Sequence, residues 1–277
     1  MLKIGVSTNN ESGSNDNEIL RNIAQVGFKN VMLSFKSNNI DETVKTIHDL
    51  GMNISYFHID NKHANDLWAT GEAVESYIQD VINQLELCGK YNIPIAVMHA
   101  CLGSPTDFAL NPNKQGLKNF ERILKVAKTH KVKIAIENVD CYSIKHVYYL
   151  LDNIKDKSVG FCYDVGHHHL YNPETDLLKK YGDRLFAVHL HDNLMDWQKG
   201  YDYTRDLHYL PFDGKIDFDK VAANFRKLNY DGIVMLELHK APTGGPHLYK
   251  DMDNLEFLKQ AKKRAEKLAD MIEGKND

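Results

Sequence analysis

The segment from Val159 to His169 reads VGFCYDVGHHH and gives the clearest signal of how the chain folds. It begins as a short apolar run with β-branched and aromatic residues, which is typical of a buried strand. The run ends in the carboxylate of Asp164, and the imidazole of His167 follows three residues later. A buried strand that ends in these groups is poor packing chemistry but good metal-ligand chemistry. The sequence therefore predicts a strand that delivers Asp164 to a polar site.

Seven other short apolar runs are also predicted to be strands, and helical periodicity recurs along the chain between strands. In chain order the predicted strands cover residues 2–7, 30–35, 54–59, 95–99, 133–137, 159–164, 185–191 and 233–237. The predicted helices cover about residues 18–26, 41–50, 73–90, 114–129, 144–151, 217–228 and 254–271. Residues 192–214 carry no such pattern and are predicted to form a long irregular loop.

Eight is the number at which parallel strand-helix units close into a barrel. We therefore expect an α/β protein with a single (β/α)8 TIM barrel over residues 1–272, followed by a frayed tail at 273–277. A doubly wound open sheet is the alternative. It is disfavoured because no glycine-rich phosphate fingerprint follows the first strand and no composition break separates two halves. In a barrel the active site lies at the C-terminal rim of the strands.

Composition and charge exclude several classes of protein. The net charge of −4 argues against a wide nucleic-acid footprint, which needs an excess of Lys and Arg. Four cysteines without CxxC spacing favour reduced thiols in a cytoplasmic protein. The first residues lack the apolar segment of a signal peptide, and no apolar run is long enough to span a bilayer. We expect a soluble cytoplasmic protein with neither a nucleic-acid nor a membrane partner.

Acids and imidazoles stand at or beside the C-terminal ends of six consecutive predicted strands: His58, His99, Glu137, Asp164, His189 and Glu237. Any one of them alone is more simply a hydrogen-bonded rim residue or a helix cap. Together they resist that interpretation, because the strand ends supply almost no basic residues. Burying several unpaired carboxylates around one mouth costs several kcal/mol each unless a cation neutralises them.

One group of these residues, Glu137, Asp164, His189 and Glu237, gives three carboxylates and one imidazole. This hard ligand set suits a divalent cation such as Mn²⁺, Mg²⁺, Co²⁺ or Zn²⁺. Two further groups of candidate metal ligands are His58, His99 and Glu137, and His167, Asp206 and His208. The first of these is softer and more typical of zinc. Asp206 and His208 alternate around Leu207, so an extended loop would point both side chains the same way.

Four segments, FCYDVGH, VHLHDN, DLHYLPFDGKIDF and YDGIVMLE, resemble the xylose-isomerase-like TIM-barrel superfamily. That superfamily holds sugar isomerases, ketose 3-epimerases, inosose dehydratases and the endonuclease IV family. The resemblance covers essentially the whole chain, and it is specific for the superfamily but not for the reaction.

The resemblance to the epimerases implies one metal, held by Glu137, Asp164, His189 and Glu237. His189 is preferred to His191 because the family's ligand precedes the Leu-x-Asp of HLHD. The resemblance also implies that Glu137 and Glu237 are the catalytic acid/base pair and that His167 orients a substrate hydroxyl. We place His99 and Trp68 with His167 in the substrate pocket. Trp68 is expected on a loop over the mouth, where it would stack on a sugar face or serve a subunit contact.

The favoured hypothesis is a metal-dependent isomerase or epimerase of a sugar or sugar phosphate, acting through an enediolate. The alternative is an endonuclease IV-like zinc phosphodiesterase that acts on abasic DNA or a small phosphate ester. Endonuclease IV proteins use nine ligands for three zincs, and the residues named above supply candidates for all nine. The SFKSNN segment lacks that family's Arg and aromatic residues, and the HHSLGEG motif is absent. DNA therefore ranks below a small-molecule substrate. A sugar-binding barrel with a degenerate site is a third hypothesis. Homo-oligomers are common in the superfamily, so the resemblance also implies a possible homo-oligomer.

Overall fold

The structure is a computed structural model that describes residues 1–37, 39–102, 111–194 and 202–275. Its strands are β1 (Lys3–Ser7), β2 (Asn30–Ser34), β3 (Asn53–His58), β4 (Ile95–His99), β5 (Lys133–Glu137), β6 (Val159–Asp164), β7 (Leu185–His189) and β8 (Ile233–Leu236). Its α-helices are α1 (Asp16–Val26), α2 (Ile40–Asp49), α3 (Glu72–Lys90), α4 (Lys114–Thr129), α5 (Ile144–Asn153), α6 (Val165–Tyr171), α7 (Leu177–Tyr181), α8 (Phe218–Lys227) and α9 (Asn254–Ile272).

The eight strands form one sheet in the order β7-β6-β5-β4-β3-β2-β1-β8. Neighbours along the chain are therefore neighbours in the sheet, and β1 pairs in parallel with both β2 and β8. The two strands at the ends of this order are linked as well, because Leu190 just after β7 forms a parallel bridge with Leu236 of β8. This connectivity confirms the predicted (β/α)8 fold class.

The chain forms two compact units. Within the described residues, the terminal unit comprises residues 1–55, 188–194 and 202–275, and the central unit comprises residues 56–187. The prediction of one catalytic domain over residues 1–272 stays a prediction. No helix in the described ranges is both long enough and apolar enough to cross a bilayer.

In the central unit the strand register positions the polar residues. β4 and β5 pair so that His99 lies opposite Glu137, and β5 and β6 pair so that Glu137 lies opposite Cys162. The three residues directly before His99 and the three before Glu137 are fully buried, because parallel strands are covered on both faces. Two residues beyond Cys162, Asp164 ends β6 and caps α6 by accepting the backbone N–H of His167.

In the terminal unit, side-chain caps set where the helices begin. Asn15, Asn39, Asp217 and Asp253 each accept a backbone N–H in the first turn of the helix that follows. Such caps satisfy amides that have no partner inside the helix. The long α9 buries one apolar face, which includes Phe257 and Leu268, and its last turn is extended by hydrogen bonds from Gly274 and Lys275. The predicted frayed tail is thus a bonded turn as far as residue 275, and residues 276–277 lie outside the described residues.

The predicted loop at residues 192–214 is more ordered than expected where it is described. Asp192 and Tyr209 exchange both backbone hydrogen bonds as an antiparallel bridge. One 3-10 turn, Tyr203–Arg205, precedes Asp206. One backbone bridge therefore anchors this loop. The short helices α6 and α7 were not among the predicted helices.

Candidate metal centre

Glu137 lies at the centre of a cluster of imidazoles in the central unit. Its Oε2 atom is 3.2 Å from Nε2 of His58 and 3.1 Å from Nε2 of His99. Its Oε1 atom is 3.3 Å from Nδ1 of His167. Only 1% of Glu137 is exposed, and the three histidines are buried as well. The central unit thus brings three predicted histidine positions, from β3, β4 and α6, onto one carboxylate.

The ring of His58 points a lone pair at this carboxylate. Its Nδ1 lies 2.9 Å from the carbonyl oxygen of Ile59, which accepts but cannot donate, so Nδ1 carries the ring proton. In the neutral imidazole Nε2 then faces Glu137 Oε2 with a lone pair. Two acceptors at this distance repel each other unless a proton or a metal ion lies between them.

His99 is the second imidazole on the same oxygen. Its Nδ1 lies 3.1 Å from the side-chain amide nitrogen of Asn61. Burial holds the pKa of His99 below its ordinary value, against the opposing attraction of the Glu137 carboxylate. Burial thus favours the neutral imidazole, which is the form that ligates metals.

In the terminal unit a second cluster forms around Asp206 and Glu237. Nδ1 of His189 is 3.1 Å from Oε2 of Glu237, and Nε2 of His208 is 3.0 Å from Oδ2 of Asp206. Nδ1 of His208 is 3.0 Å from the carbonyl oxygen of Glu237. His208 therefore repeats the arrangement of His58: the Nδ1 proton is directed at a carbonyl, and the Nε2 lone pair is directed at a carboxylate oxygen.

Two histidines of this cluster were missed by the sequence analysis as site residues. His191 is fully buried, and its ring stacks on His208 at 3.7 Å between centroids with an interplanar angle of 9°. His239 stacks on the ring of His208 at 4.5 Å, and its backbone N–H donates to the His208 carbonyl. Burial lowers the pKa of His239 to about 3, which keeps its ring neutral. The rings of His191, His208 and His239 thus form one stack, and its middle ring contacts Asp206.

Asp192 and Asn193 hold the segment that carries Asp206 and His208. The buried Asp192 carboxylate accepts the backbone N–H groups of Asn193, Gly214 and Ile216 at 2.8, 2.8 and 3.1 Å. The Asn193 side chain accepts the Leu207 N–H at 2.6 Å and lies 3.4 Å from Asp206 Oδ1. Burial raises the pKa of Asp192, although these backbone hydrogen bonds oppose the shift. Asp192, the acid of the HLHDN motif, therefore holds the backbone of this loop in place.

A second set of contacts fixes the far side of the same loop. The Tyr249 hydroxyl accepts the Leu210 N–H at 3.0 Å and donates to Asp213 Oδ2 at 2.9 Å. Arg264 of α9 pairs with Asp213 at 2.5 Å and donates to the Pro211 carbonyl at 2.7 Å. Residues far apart in sequence thus converge on the loop that carries Asp206 and His208.

The Gly-Gly pair after β8 packs against this loop. A Cβ atom on Gly244 would lie 1.9 Å from the carbonyl oxygen of Thr204. Gly245 has φ +68 and lies against the side chain of Leu207. Close backbone approach and a positive φ angle explain why two glycines are needed at these positions.

Trp68 does not occupy the position predicted for it. It belongs to the 3-10 segment Ala64–Trp68, is 1% exposed and donates its indole N–H to the Ala100 carbonyl at 2.7 Å. Its ring lies so close to Gly116 of α4 that a Cβ atom there would come within 2.2 Å of it. The prediction of a substrate-stacking Trp68 is therefore corrected: the residue fills the core of the central unit, where a large aromatic ring buries the most apolar area.

The donor set fits a divalent metal ion. Carboxylate and neutral imidazole are the ligands that Zn²⁺ and Mn²⁺ accept. In each unit at least one imidazole lone pair faces a carboxylate oxygen from 3.0 to 3.2 Å. A cation between them would turn this repulsion into attraction, and the carbonyls that hold the two Nδ1 atoms are the usual outer partners of metal-bound histidines.

The fold and these clusters define a (β/α)8 protein whose strand ends and following loops carry carboxylates and imidazoles. A family model described as the xylose isomerase-like TIM barrel matches residues 20–268. This chain belongs to that family, and the resemblance stated from the sequence is confirmed.

Among curated proteins the chain is similar to the uncharacterized protein y4fM of Sinorhizobium fredii. The two are 29% identical over 167 residues, which are 56% of this chain and 50% of that protein. It is also similar to an inosose dehydratase of Salmonella typhimurium, with 26% identity over 159 residues, 52% of this chain and 50% of the dehydratase. The chain thus spans about half the length of the curated relatives it matches.

Solved structures share the fold at low sequence identity. A D-tagatose 3-epimerase-like protein superposes with a TM-score of 0.74 at 18% identity and covers 100% of both chains. The IolI protein, whose structure is described with a binding zinc atom, gives a TM-score of 0.74 at 16% identity, over 97% of this chain and 98% of its own. These likenesses bear on the fold alone.

Proposed function

We propose that the protein is a metal-dependent isomerase or epimerase of a sugar or sugar phosphate that works by proton transfer through an enediolate. The observation that carries the proposal is Glu137, a buried carboxylate that ends β5 and is contacted by three imidazoles. Membership of the xylose isomerase-like family supports it. The similarity to an inosose dehydratase and to a 3-epimerase-like fold is consistent with sugar chemistry.

The residues that would hold the metal are Glu137, Asp164, His189 and Glu237, which lie at or just beyond the ends of β5, β6, β7 and β8. Bound there, a divalent cation would supply electrostatic stabilisation of charge that develops on adjacent substrate oxygens. The identity of the ion, whether Mn²⁺, Zn²⁺, Mg²⁺ or Co²⁺, stays open in the proposal.

Glu137 and Glu237 would divide the proton transfers between them. One carboxylate removes the proton bound to the carbon beside the carbonyl, and the other returns a proton to the opposite face, which inverts that carbon. His167 would orient a substrate hydroxyl, and His99 would contact the substrate beside Glu137.

Solvent-deuterium exchange tests the proposal. Metal-loaded protein is incubated in D₂O with ketohexoses such as D-tagatose, D-psicose and D-fructose, and we expect deuterium at the carbon beside the carbonyl, read by NMR. E137Q should abolish the exchange while circular dichroism shows an intact fold. E75Q is the matched control, because Glu75 is an exposed partner of Arg122. Retained exchange in E137Q would remove Glu137 from the mechanism.

A second candidate function, metal-assisted hydrolysis of a phosphodiester, is favoured by one observation. His58 and His99 both direct Nε2 at the same Glu137 oxygen, which makes His58, His99 and Glu137 a candidate site for a further metal. His167, Asp206 and His208 would be the ligands of a third. This function predicts about three metals per chain by elemental analysis and cleavage of an oligonucleotide with an abasic site. One metal per chain and no cleavage would reject it.

The remaining predictions concern the surroundings of the protein. We propose a small sugar or sugar phosphate as its partner in preference to nucleic acid. A cytoplasmic location and a homo-oligomeric state stay predictions, which fractionation and analytical ultracentrifugation would check.

A further inference from the structure

Asn138 follows Glu137 directly and joins the ends of two strands. The side chain is fully buried. Its Oδ1 accepts the backbone N–H of Asp164 at 2.9 Å, and its Nδ2 donates to the backbone carbonyl of the same residue at 2.9 Å. The amide thus pairs with Asp164 as a neighbouring strand would, at the point where the β5–β6 ladder ends.

The backbone of Asn138 reaches the other polar residue of this segment. Its carbonyl oxygen lies 3.2 Å from Nδ1 of His167. Because a carbonyl only accepts, the ring proton of a neutral His167 that makes this bond is on Nδ1, and Nε2 carries the lone pair. The backbone N–H of His167 is in turn bound by Asp164 Oδ1 at 2.7 Å. One residue therefore contacts both Asp164 and His167, which also contact each other.

We propose that Asn138 is a positioning residue of the metal centre: its amide holds the backbone of Asp164, and its carbonyl holds His167 in the tautomer with the proton on Nδ1. This inference rests on the metal centre of the proposed function. Asn138 reaches neither metal nor substrate in this role and acts only through its two neighbours. Such outer partners of metal ligands affect affinity strongly, because they fix the orientation of the ligand atoms.

The chemistry of the amide explains why no other side chain of this shape would serve. Asn offers one acceptor and two donors, and the backbone of Asp164 needs one of each. An aspartate has the same shape but offers only acceptors, so N138D would oppose a carboxylate oxygen to the Asp164 carbonyl. That repulsion would push the end of β6 away and displace the Asp164 carboxylate.

Asn119 provides a matched control in the same unit. It is 1% exposed, and its Nδ2 donates to the carbonyls of Leu67 at 2.8 Å and Ala69 at 3.3 Å. N119D therefore makes the same chemical change at a buried amide that also bonds backbone carbonyls. None of its partners is a candidate ligand or substrate contact.

The test measures Zn²⁺ and Mn²⁺ affinity of metal-stripped full-length protein by calorimetry, together with urea unfolding of the metal-free variants. We expect N138D to bind metal roughly 10- to 100-fold more weakly than wild type. N119D should lose stability but keep the wild-type affinity. In parallel, ¹⁵N NMR of the histidine rings, assigned with H167Q, should show His167 protonated on Nδ1 in metal-free wild type and a loss of that signature in N138D.

Three outcomes overturn the inference: wild-type metal affinity in N138D, equal losses of affinity in N138D and N119D, or a wild-type His167 with its proton on Nε2. The sugar reaction is a separate question. If N138D loses metal but wild type fails to exchange deuterium into any ketose, the proposed function fails and the role of Asn138 stands. If wild type exchanges deuterium and N138D binds metal normally, the proposed function stands and the role of Asn138 fails.

Discussion

The two clusters of candidate ligands are built differently. In the central unit His58, His99, Glu137 and Asp164 each end a strand, so the parallel ladders of the sheet set their spacing. In the terminal unit Asp206 and His208 lie on a loop, where hydrogen bonds from side chains such as Asp192 and Tyr249 take the place of a ladder. The positions of strand-borne ligands thus depend on the sheet, whereas those of loop-borne ligands depend on neighbouring side chains that are not candidate ligands themselves.

The strand ends and the loop should respond differently to the loss of a side chain. A strand in a ladder is held by many equivalent backbone hydrogen bonds, so losing one side chain at its end changes the stability of the protein little. The loop depends on a few buried bonds, each of which leaves an unsatisfied group when it is removed. Substitutions in the supports of the loop should therefore destabilise the protein more than substitutions at the strand ends.

The largest effect is expected from D192A. The substitution leaves three backbone N–H groups of the loop without their acceptor, which should lower the free energy of unfolding by about 3 kcal/mol or more. Urea unfolding of the metal-free protein measures this loss. Amide exchange should rise at Gly214 and Ile216 and stay unchanged at Asp164. An equal rise at both places would mean that the two clusters do not differ as described.

G214A should have the next largest effect. The added Cβ would lie 2.3 Å from Asp192 Oδ1 and 2.4 Å from the Asn193 carbonyl, so the loop has to shift, at an expected loss of about 1–3 kcal/mol. G51A is the control, because Gly51 has φ +71 but nothing within 4 Å of an added Cβ. G51A should lose about 1 kcal/mol from backbone strain alone and leave amide exchange in the loop unchanged. A smaller loss in G214A than in G51A would count against tight packing at Asp192.

Y249F removes a hydroxyl that both accepts from Leu210 and donates to Asp213. We expect a loss of about 1 kcal/mol in thermal unfolding, because one backbone N–H and one carboxylate oxygen lose a partner. Y142F is the control, since Tyr142 is 43% exposed. Indistinguishable stabilities of the two variants would show that the far side of the loop needs no support from Tyr249.

The smallest effect on stability should come from D164N, at the strand-borne cluster. Asparagine caps a helix as well as aspartate does, so metal-free D164N should stay within about 0.5 kcal/mol of wild type, whereas D164A should lose about 1 kcal/mol with the cap of α6. Metal affinity should fall in both variants, since both lose the charge. A large destabilisation of D164N without metal would contradict the view that the end of β6 depends little on the charge of its last side chain.

Strand positions could be predicted closely from the sequence. β4, β5 and β6 begin and end at the predicted residues, because a buried parallel strand is a continuous apolar run with an abrupt polar end. α6 was not resolved as a helix because it has only seven residues, three of them consecutive histidines, and such a segment shows no apolar period. Asp164 marks where it begins, because its side chain caps the first turn.

Some residues of the candidate site could be predicted from the sequence, and others could not. The acids and imidazoles could be named from the sequence because their chemistry marks them at the ends of predicted strands. His191 was passed over because the resemblance to the family assigns the ligand to His189, two residues earlier. Asn138 and Asn193 carry no charge, and only the folded backbone shows what they bind. Trp68 was misplaced because sequence does not tell a loop aromatic that covers a site from one that fills a core.

The contact of Gly244 with Thr204 links the loop after β7 to the loop after β8. Neither loop can be lengthened or replaced by itself, because a side chain at residue 244 would strike the backbone at residue 204. Anyone who wishes to change the specificity of this protein by grafting loops from a relative should exchange residues 202–216 and 241–249 as one piece. The same constraint predicts that residues in these two segments covary among relatives. Paired substitutions in an alignment of relatives would reveal this covariation.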